Sequence, residues 1–151
     1  MSDDTHILLV DDNDDDVMLI QRAFRRSGID TAMSVVGDGD SAVAYLSGEG
    51  AFGDRVLHPL PRLMLLDLKL PRRSGLEVLE WARSEASLRG LVIVVLTSSR
   101  ESRDVTRAYE LGANSFLVKP VEFDSLLELV KTVDLYWIRL NEPHPRQEGI
   151  Q

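Results

Sequence analysis

The chain has no cysteine, which excludes disulfides, thiolate chemistry and cysteine-ligated metals and agrees with a reducing compartment. It also lacks any apolar run near the roughly 20 residues needed to span a bilayer. Its opening, MSDDTHILLV, is acidic and carries neither the basic region nor the long apolar stretch of a secretion signal, so a cytoplasmic location with no membrane association is expected. Positive charge is in the minority, with 17 Lys and Arg against 25 Asp and Glu and a formal net charge of −8. Such a surface repels phosphate backbones, and no direct nucleic-acid partner is expected. Histidine offers no metal pattern either, because His6, His58 and His144 are widely spaced and suit surface or packing roles.

At 151 residues with 44% hydrophobic content, the chain suits one domain with a full core. Short apolar runs alternate with segments of helical period. HILLV (6–10) precedes a stretch that sets Val17, Ile20 and Phe24 on one face and stops at Gly28. TAMSVV (31–36) precedes a shorter one with Ala42, Tyr45 and Leu46 and a stop at Gly48. RLMLLD (62–67) is followed by Ser74-x-x-Glu77, the spacing of a capping box. LVIVVLT (91–97) leads to a helix through Val105 and Tyr109 that ends near Gly112, and SFLVK (115–119) to a last helix over about 122–140. Five β-then-α units imply an α/β fold, a five-stranded parallel sheet with helices on both faces. Uninterrupted runs such as LVIVVL fit strands buried on both sides. At this length the flavodoxin-like strand order 2-1-3-4-5 is the leading choice. GEGAFGDRVLHPLP (48–61) reads as a long loop, and residues 141–151 as a flexible tail beyond a domain at 5–140.

Ligands of such sheets bind beyond the carboxyl ends of the strands. Asp11 and Asp12 follow the first strand, Asp67 ends the third, Thr97 the fourth and Lys119 the fifth. Grouped carboxylates resist joint ionisation unless a cation compensates them, and a hard divalent ion such as Mg²⁺ suits oxygen ligands. An ionised aspartate is also a nucleophile able to accept a phosphoryl group. Metal, hydroxyl and ammonium would then hold the three phosphoryl oxygens. Taken singly, each element has a plainer explanation. DDNDDD (11–16) could be a solvated helix start, since acids favour a helix N-terminus. Thr97 alone suits a strand end, and Lys119 alone suits solvent. An EF-hand loop from Asp11 fails, because its sixth position is Asp16 rather than Gly and its twelfth is Arg22 rather than Glu. The coincidence of four strand ends carries the functional reading.

In ILLVDDN (7–13), LMLLDLKLPRRSGLEVL (63–79), VIVVLTSS (92–99) and GANSFLVKP (112–120), over about residues 5–140, the chain resembles the receiver domain of bacterial two-component response regulators. The resemblance implies a Mg²⁺-dependent phosphoacceptor at Asp67, with Asp12 and Asp67 on the metal directly, Asp11 mainly through water, and the Lys69 backbone carbonyl completing the ligands. It implies Thr97 and Lys119 on the phosphoryl oxygens, and a switch in which Thr97 draws in and Phe116 fills the space. Lys69 and Ser99 would flank the acyl phosphate, and Pro120 marks a candidate cis bond. A sensor histidine kinase would be the donor. The long loop before the third strand and the extended last helix resemble the single-domain regulators that work with bacterial phytochromes. Too few residues follow Leu140 for an attached output domain, so output is expected to pass through a partner or a further phosphotransfer step.

Along the last helix, VEFDSLLELVKTVDLYWIRL (121–140), Phe123, Leu126, Val130 and Trp137 form one stripe, with Leu129, Val133, Tyr136 and Leu140 beside it. The core needs one stripe, so the broader coverage predicts a homodimer through Phe123, Leu129, Val133, Tyr136, Trp137 and Leu140. The alternative folds Tyr136 and Trp137 back onto their own domain. Three other functions compete with that of a receiver. An aspartyl-phosphate phosphatase of the haloacid-dehalogenase type needs a second aspartate where Lys69 stands, so the chain is not expected to be an enzyme. A receiver-shaped scaffold that ignores phosphate would not need all five site side chains. A flavin binder would need hydroxyls and amides where DDNDDD is acidic.

Overall fold

The computed structural model describes residues 5–145. Strands β1 (His6–Val10), β2 (Ala32–Val36), β3 (Leu63–Leu66), β4 (Val92–Thr97) and β5 (Ser115–Val118) form one parallel sheet in the order β2-β1-β3-β4-β5. Helices α1 (Asp14–Arg26), α2 (Gly39–Ser47), α3 (Gly75–Ser84), α4 (Ser102–Glu110) and α5 (Phe123–Val133) follow the strands in turn. The expected doubly wound architecture is the observed one.

The uninterrupted apolar runs have the anticipated cause, because strand side chains alternate between two covered faces. Leu8, Val10, Met64, Leu66, Ile93 and Val95 point to the side closed by Tyr45 and Leu46 of α2 and by Val78, Leu79 and Ala82 of α3. Ile7, Leu9, Leu63, Leu65, Val94 and Leu96 point to the other side, closed by Ile20, Ala23 and Phe24 of α1 and by Leu126, Val130 and Val133 of α5. The register Leu9↔Leu65↔Val94 keeps the three central strands level, so their carboxyl ends emerge together.

The long loop at 48–61 is not loose. Gly48 ends α2 in a left-handed conformation (φ 73°), and Arg55 folds back to donate to the Tyr45 and Leu46 carbonyls at 2.7 and 2.9 Å. Phe52, His58 and Tyr45 pack as a ring cluster with centroids 5.1 to 5.8 Å apart. The tail also begins in contact with the body: Arg62 donates to the Asn141 carbonyl at 3.3 Å, and the His144 side chain lies against Gly90. Residues 146–151 of the expected tail lie outside the described residues.

Two expectations need correction. The peptide bond before Pro120 is trans, as are all peptide bonds among the described residues. Trans is the intrinsically preferred isomer by about 0.5–1 kcal/mol, and Lys119 N–H keeps its hydrogen bond to the Thr97 carbonyl at 2.8 Å. The last helix is also not one α-helix to Leu140. After Val133 it widens into π-helical turns over Asp134–Leu140. The wider winding makes residues five apart neighbours: Asn141 N–H reaches the Tyr136 carbonyl at 2.7 Å, and Arg139 pairs with the buried Asp134 at 2.9 Å. Beyond Val133 the count of 3.6 residues per turn no longer applies, although Trp137, the last member of the predicted stripe, still packs against the core.

Candidate functional site

The sheet ladder runs one residue beyond the strands and fixes the backbone of the site. Asp11 N–H bonds the Val36 carbonyl at 3.1 Å and Asp67 N–H the Val10 carbonyl at 3.0 Å. After Asp67 the chain turns tightly into α3. Gly75 is required there, because a Cβ on it would stand 2.2 Å from the Asp67 carbonyl oxygen. The capping box follows as its spacing predicts, with Glu77 N–H on Ser74 Oγ at 3.2 Å and Ser74 N–H on Glu77 Oε1 at 2.8 Å. In the same turn Arg72 has a left-handed backbone (φ 70°), and Arg72 and Arg73 both pair with Asp40 at the start of α2.

All five strand-end residues converge. Asp67, buried, has its two carboxylate oxygens held by different groups: Thr97 Oγ1 donates to Oδ1 at 2.7 Å and Lys119 Nζ to Oδ2 at 2.9 Å. Lys69 N–H adds a longer contact to Oδ1 at 3.3 Å. Lys119 Nζ also reaches Asp11 Oδ2 and Asp16 Oδ2, each at 2.8 Å. Burial alone would favour the neutral amine, but its hydrogen bonds to Asp11, Asp16 and Asp67 hold the Lys119 pKa well above its ordinary value. Burial pushes the Asp11 carboxyl up, against the lowering effect of its bond to Lys119. Three carboxylates thus share one ammonium.

Asp11, Asp12 and Asp67 each offer a carboxylate oxygen, and these oxygens lie within 4.8 Å of one another. The donor set is all oxygen and under-compensated, which fits a hard divalent cation. Asp12 is the exposed member of the three. Lys69 is exposed at the rim. Ser99 is buried, and its hydroxyl donates to Asp104 Oδ2 at 2.5 Å in the first turn of α4. Phe116 packs partly buried against the core on the α2–α3 side.

The sequence places Asp16 only within the acidic run DDNDDD, for which a solvated helix start is the plainer explanation. Its bond to Lys119 spans 103 residues, and the local cause of its placement is the Asn13 cap, whose side chain accepts from Asp16 N–H at 2.9 Å. The cap marks the helix start and carries no sign of a partner 103 residues away.

The surface candidates on the last helix divide. Val133 is buried in its own core. Phe123 packs against that core with the Arg22 guanidinium 5.4 Å over its ring, and Leu129 and Trp137 are partly buried against it. Tyr136 and Leu140 are exposed, as is Leu135. Of these, Tyr136 lines a groove of about 480 Å³, together with Leu117, Pro120, Leu129 and Trp137. No helix among the described residues is long and apolar enough to cross a membrane.

Comparison with known proteins adds to this geometry. The family model for the response regulator receiver domain matches residues 7–131. The probable methanogenesis regulatory protein FilR2 of Methanothrix harundinacea is 41% identical over 135 residues, 89% of this chain and 84% of that protein. Response regulator Rcp1 of Synechocystis sp. is 35% identical over 142 residues, 91% of this chain and 95% of that one. A solved Mn²⁺-bound form of response regulator Rcp1 is similar at a TM-score of 0.84 and 33% identity, covering 93% of this chain and 99% of that one. The solved phosphorylated cyanobacterial phytochrome response regulator RcpA is similar at a TM-score of 0.86 and 33% identity, with the same coverage.

Proposed function

Because the chain belongs to the response regulator receiver domain family, we propose that it is a cytoplasmic signalling module whose Asp67 accepts a phosphoryl group from a sensor histidine kinase. The observation that carries this reading is the division of Asp67 between Thr97 and Lys119, beside Asp11 and Asp12. A rigid strand end presents the carboxylate, and both partners can turn from it to a phosphoryl group attached to it.

The chemistry is in-line transfer from a phosphohistidine. An Asp67 oxygen forms the new O–P bond while the P–N bond breaks. The electron pair returns to the imidazole nitrogen, which takes up a proton. Asp11, Asp12, Asp67 and the Lys69 backbone carbonyl would hold Mg²⁺, which when bound neutralises charge building on the phosphoryl oxygens. Thr97 Oγ1 and Lys119 Nζ donate to two of those oxygens. Because Thr97 lies on β4 beside β5, its movement is passed to Phe116. The equilibrium shifts because Thr97 gains contacts in only one of the two arrangements.

The likeness to a phytochrome response regulator across nearly the whole chain supports a phytochrome-type kinase as donor. The exposed Leu140, and the exposed Tyr136 lining an apolar groove, support a homodimer built on the end of the last helix. The receiver unit is taken as residues 5–140.

The test is labelling by a small phosphodonor. Label should appear only with a divalent cation and be abolished by Asp67→Asn in a protein that still melts cooperatively. Label persisting in that variant would move the acceptor elsewhere.

A further inference from the structure

An ammonium has three N–H donors, and in Lys119 all three are engaged, by Asp11, Asp16 and Asp67. Two of those carboxylates belong to the group that can take a cation, and Asp16 does not. Asp67 must give up its bond to Lys119 when its oxygen becomes part of an acyl phosphate. Asp11 must share its oxygens with whatever cation the site holds. Asp16 alone has no second duty. It sits in the first turn of α1, its backbone pinned by the Asn13 cap at 2.9 Å, with its carboxylate 2.8 Å from Lys119 Nζ.

We propose that Asp16 is a positioning residue for phosphoryl transfer: it anchors Lys119 Nζ in the crevice while the other two carboxylates change partners. This inference rests on the receiver reading above and extends it to a residue outside the acceptor, metal and phosphoryl-binding set. The physical need is clear. A lysine has a long flexible stem, and an ammonium without a fixed partner would settle on Asp11 and Asp67, where it competes with the cation and points no N–H at the incoming phosphoryl group. One tethered N–H leaves the other two free to follow the reaction.

The experiment measures the labelling rate with phosphoramidate as a function of Mg²⁺ for the full chain and for Asp16→Ala, Asp16→Asn and Asp15→Asn. Loss of a supporting partner commonly lowers activity by tenfold or more, so Asp16→Ala should label about tenfold more slowly. The deficit should persist at saturating Mg²⁺, because it lies in the aim of Lys119 and not in metal affinity. Asp16→Asn retains the helix position and an acceptor oxygen and should fall between. Asp15 is exposed, and Asp15→Asn, with the same change of charge, should keep the parent rate. The inference is overturned if raising Mg²⁺ restores Asp16→Ala, if Asp15→Asn slows equally, or if both Asp16 variants match the parent. If the parent chain takes no label at any Mg²⁺ concentration, the functional reading itself falls and this inference with it. Should Asp16→Ala not fold, Asp16→Asn decides by the same criteria.

Discussion

Thr97 Oγ1 donates to Asp67 Oδ1 at 2.7 Å, joining the ends of two adjacent strands across 30 residues. Both side chains are buried, so the bond is shielded from water and orients the carboxylate before any phosphoryl group arrives. The hydroxyl is thus already near the place from which it must act. Thr97→Val keeps the shape and removes the donor. Net loss of one hydrogen bond is worth about 1 kcal/mol, so the fold should hold. Removing a positioned donor to a developing oxyanion costs roughly 100- to 1,000-fold in rate where it is the main donor. With Lys119 still present, labelling of Thr97→Val should slow by roughly tenfold. The response of Phe116 to beryllofluoride, followed by NMR, should disappear. A parent-like rate with an intact Phe116 response would remove Thr97 from the switch.

The acidic group sets a second expectation. Without a cation, Lys119 is the ammonium that compensates Asp11, Asp16 and Asp67 together. A cation that binds only the folded chain stabilises it by RT ln(1 + [L]/Kd), about 1.4 kcal/mol at tenfold Kd. For a domain of this size that raises the melting temperature by roughly 3–5 °C. Asp12→Asn should abolish the shift while leaving the metal-free melting temperature nearly unchanged, since Asp12 is the exposed member. The shift should also fade as pH falls, because burial raises the Asp11 pKa and protons compete with the cation for its carboxylate. Calorimetry with and without Mg²⁺ checks both.

How much of this was legible in the sequence depends on the distance over which each cause acts. The strand ends at Asp11, Asp67, Thr97 and Lys119 were legible because strands buried on both faces leave continuous apolar runs, and the position after each run is a place in the fold. The Ser74–Glu77 box was legible because its cause lies within four residues. Asp16 was not, since an acid at a helix start has a sufficient local reason and its partner is 103 residues away. Nor was the ordering of the 48–61 loop, which depends on Arg55 finding two carbonyls at the end of α2. The winding beyond Val133 was hidden for a different reason: the same apolar residues make a plausible stripe at 3.6 residues per turn, and the wider spacing shows in the Asp134–Arg139 pair and the Asn141–Tyr136 bond.

Stability, as distinct from signalling, has a centre at the opposite end of the sheet. Arg83, near the end of α3, donates to the carbonyls of Gly112 at 2.9 Å and Leu91 at 2.8 Å and to Asn114 Oδ1 at 2.9 Å. Asn114 Oδ1 in turn accepts from Ile93 N–H at 2.7 Å. Burial lowers the Arg83 pKa, yet a guanidinium stays charged in proteins. Arg83→Met keeps much of the volume and loses the fork. At roughly 1 kcal/mol per bond, the cost should be about 2–3 kcal/mol, seen as a lower urea midpoint with unchanged m-value. Arg83→Lys should not restore it, because one ammonium cannot reproduce the planar spread of donors. Phosphoryl uptake under native conditions should be unaffected, since these contacts lie before β4 and β5, away from their carboxyl ends.

His6 should make stability pH-dependent. It is buried at the start of β1, with Nε2 2.8 Å from Ser34 Oγ, and burial, then the nearby His58, lower its pKa. With the folded pKa below the ordinary value of about 6.5, both states are neutral above that pH and His6 has no effect there. As pH falls below it, the unfolded chain takes up a proton that the folded chain resists, so stability is lost across the interval down to the folded pKa. Urea midpoints at pH 7.5 and 5.0 should therefore fall further in the parent than in His6→Gln. Equal slopes would mean that His6 protonates freely in the fold.

The proposed homodimer rests on the end of the last helix. Tyr136 and Leu140 are 51% and 67% exposed, whereas Val133, which lies between the α-helix and the wider turns, is spent on the chain's own core. Only the first two can be removed without unpacking the domain. The double variant Tyr136→Glu with Leu140→Glu adds two charges per chain to the proposed contact, so in a symmetric dimer four carboxylates would be brought together in an apolar setting. Isolated charges removed from water are strongly disfavoured, and a dimer of micromolar affinity rests on about 8 kcal/mol in all. Sedimentation at micromolar concentration should show the parent chain as a dimer and the variant as a monomer, with melting temperature extrapolated to low concentration unchanged. Because Asp67 lies within one chain's own crevice, the monomeric variant should still take label at the parent rate. A parent chain that sediments as a monomer, with and without beryllofluoride, would mean that Tyr136, Leu140 and the adjoining groove serve some contact other than self-association.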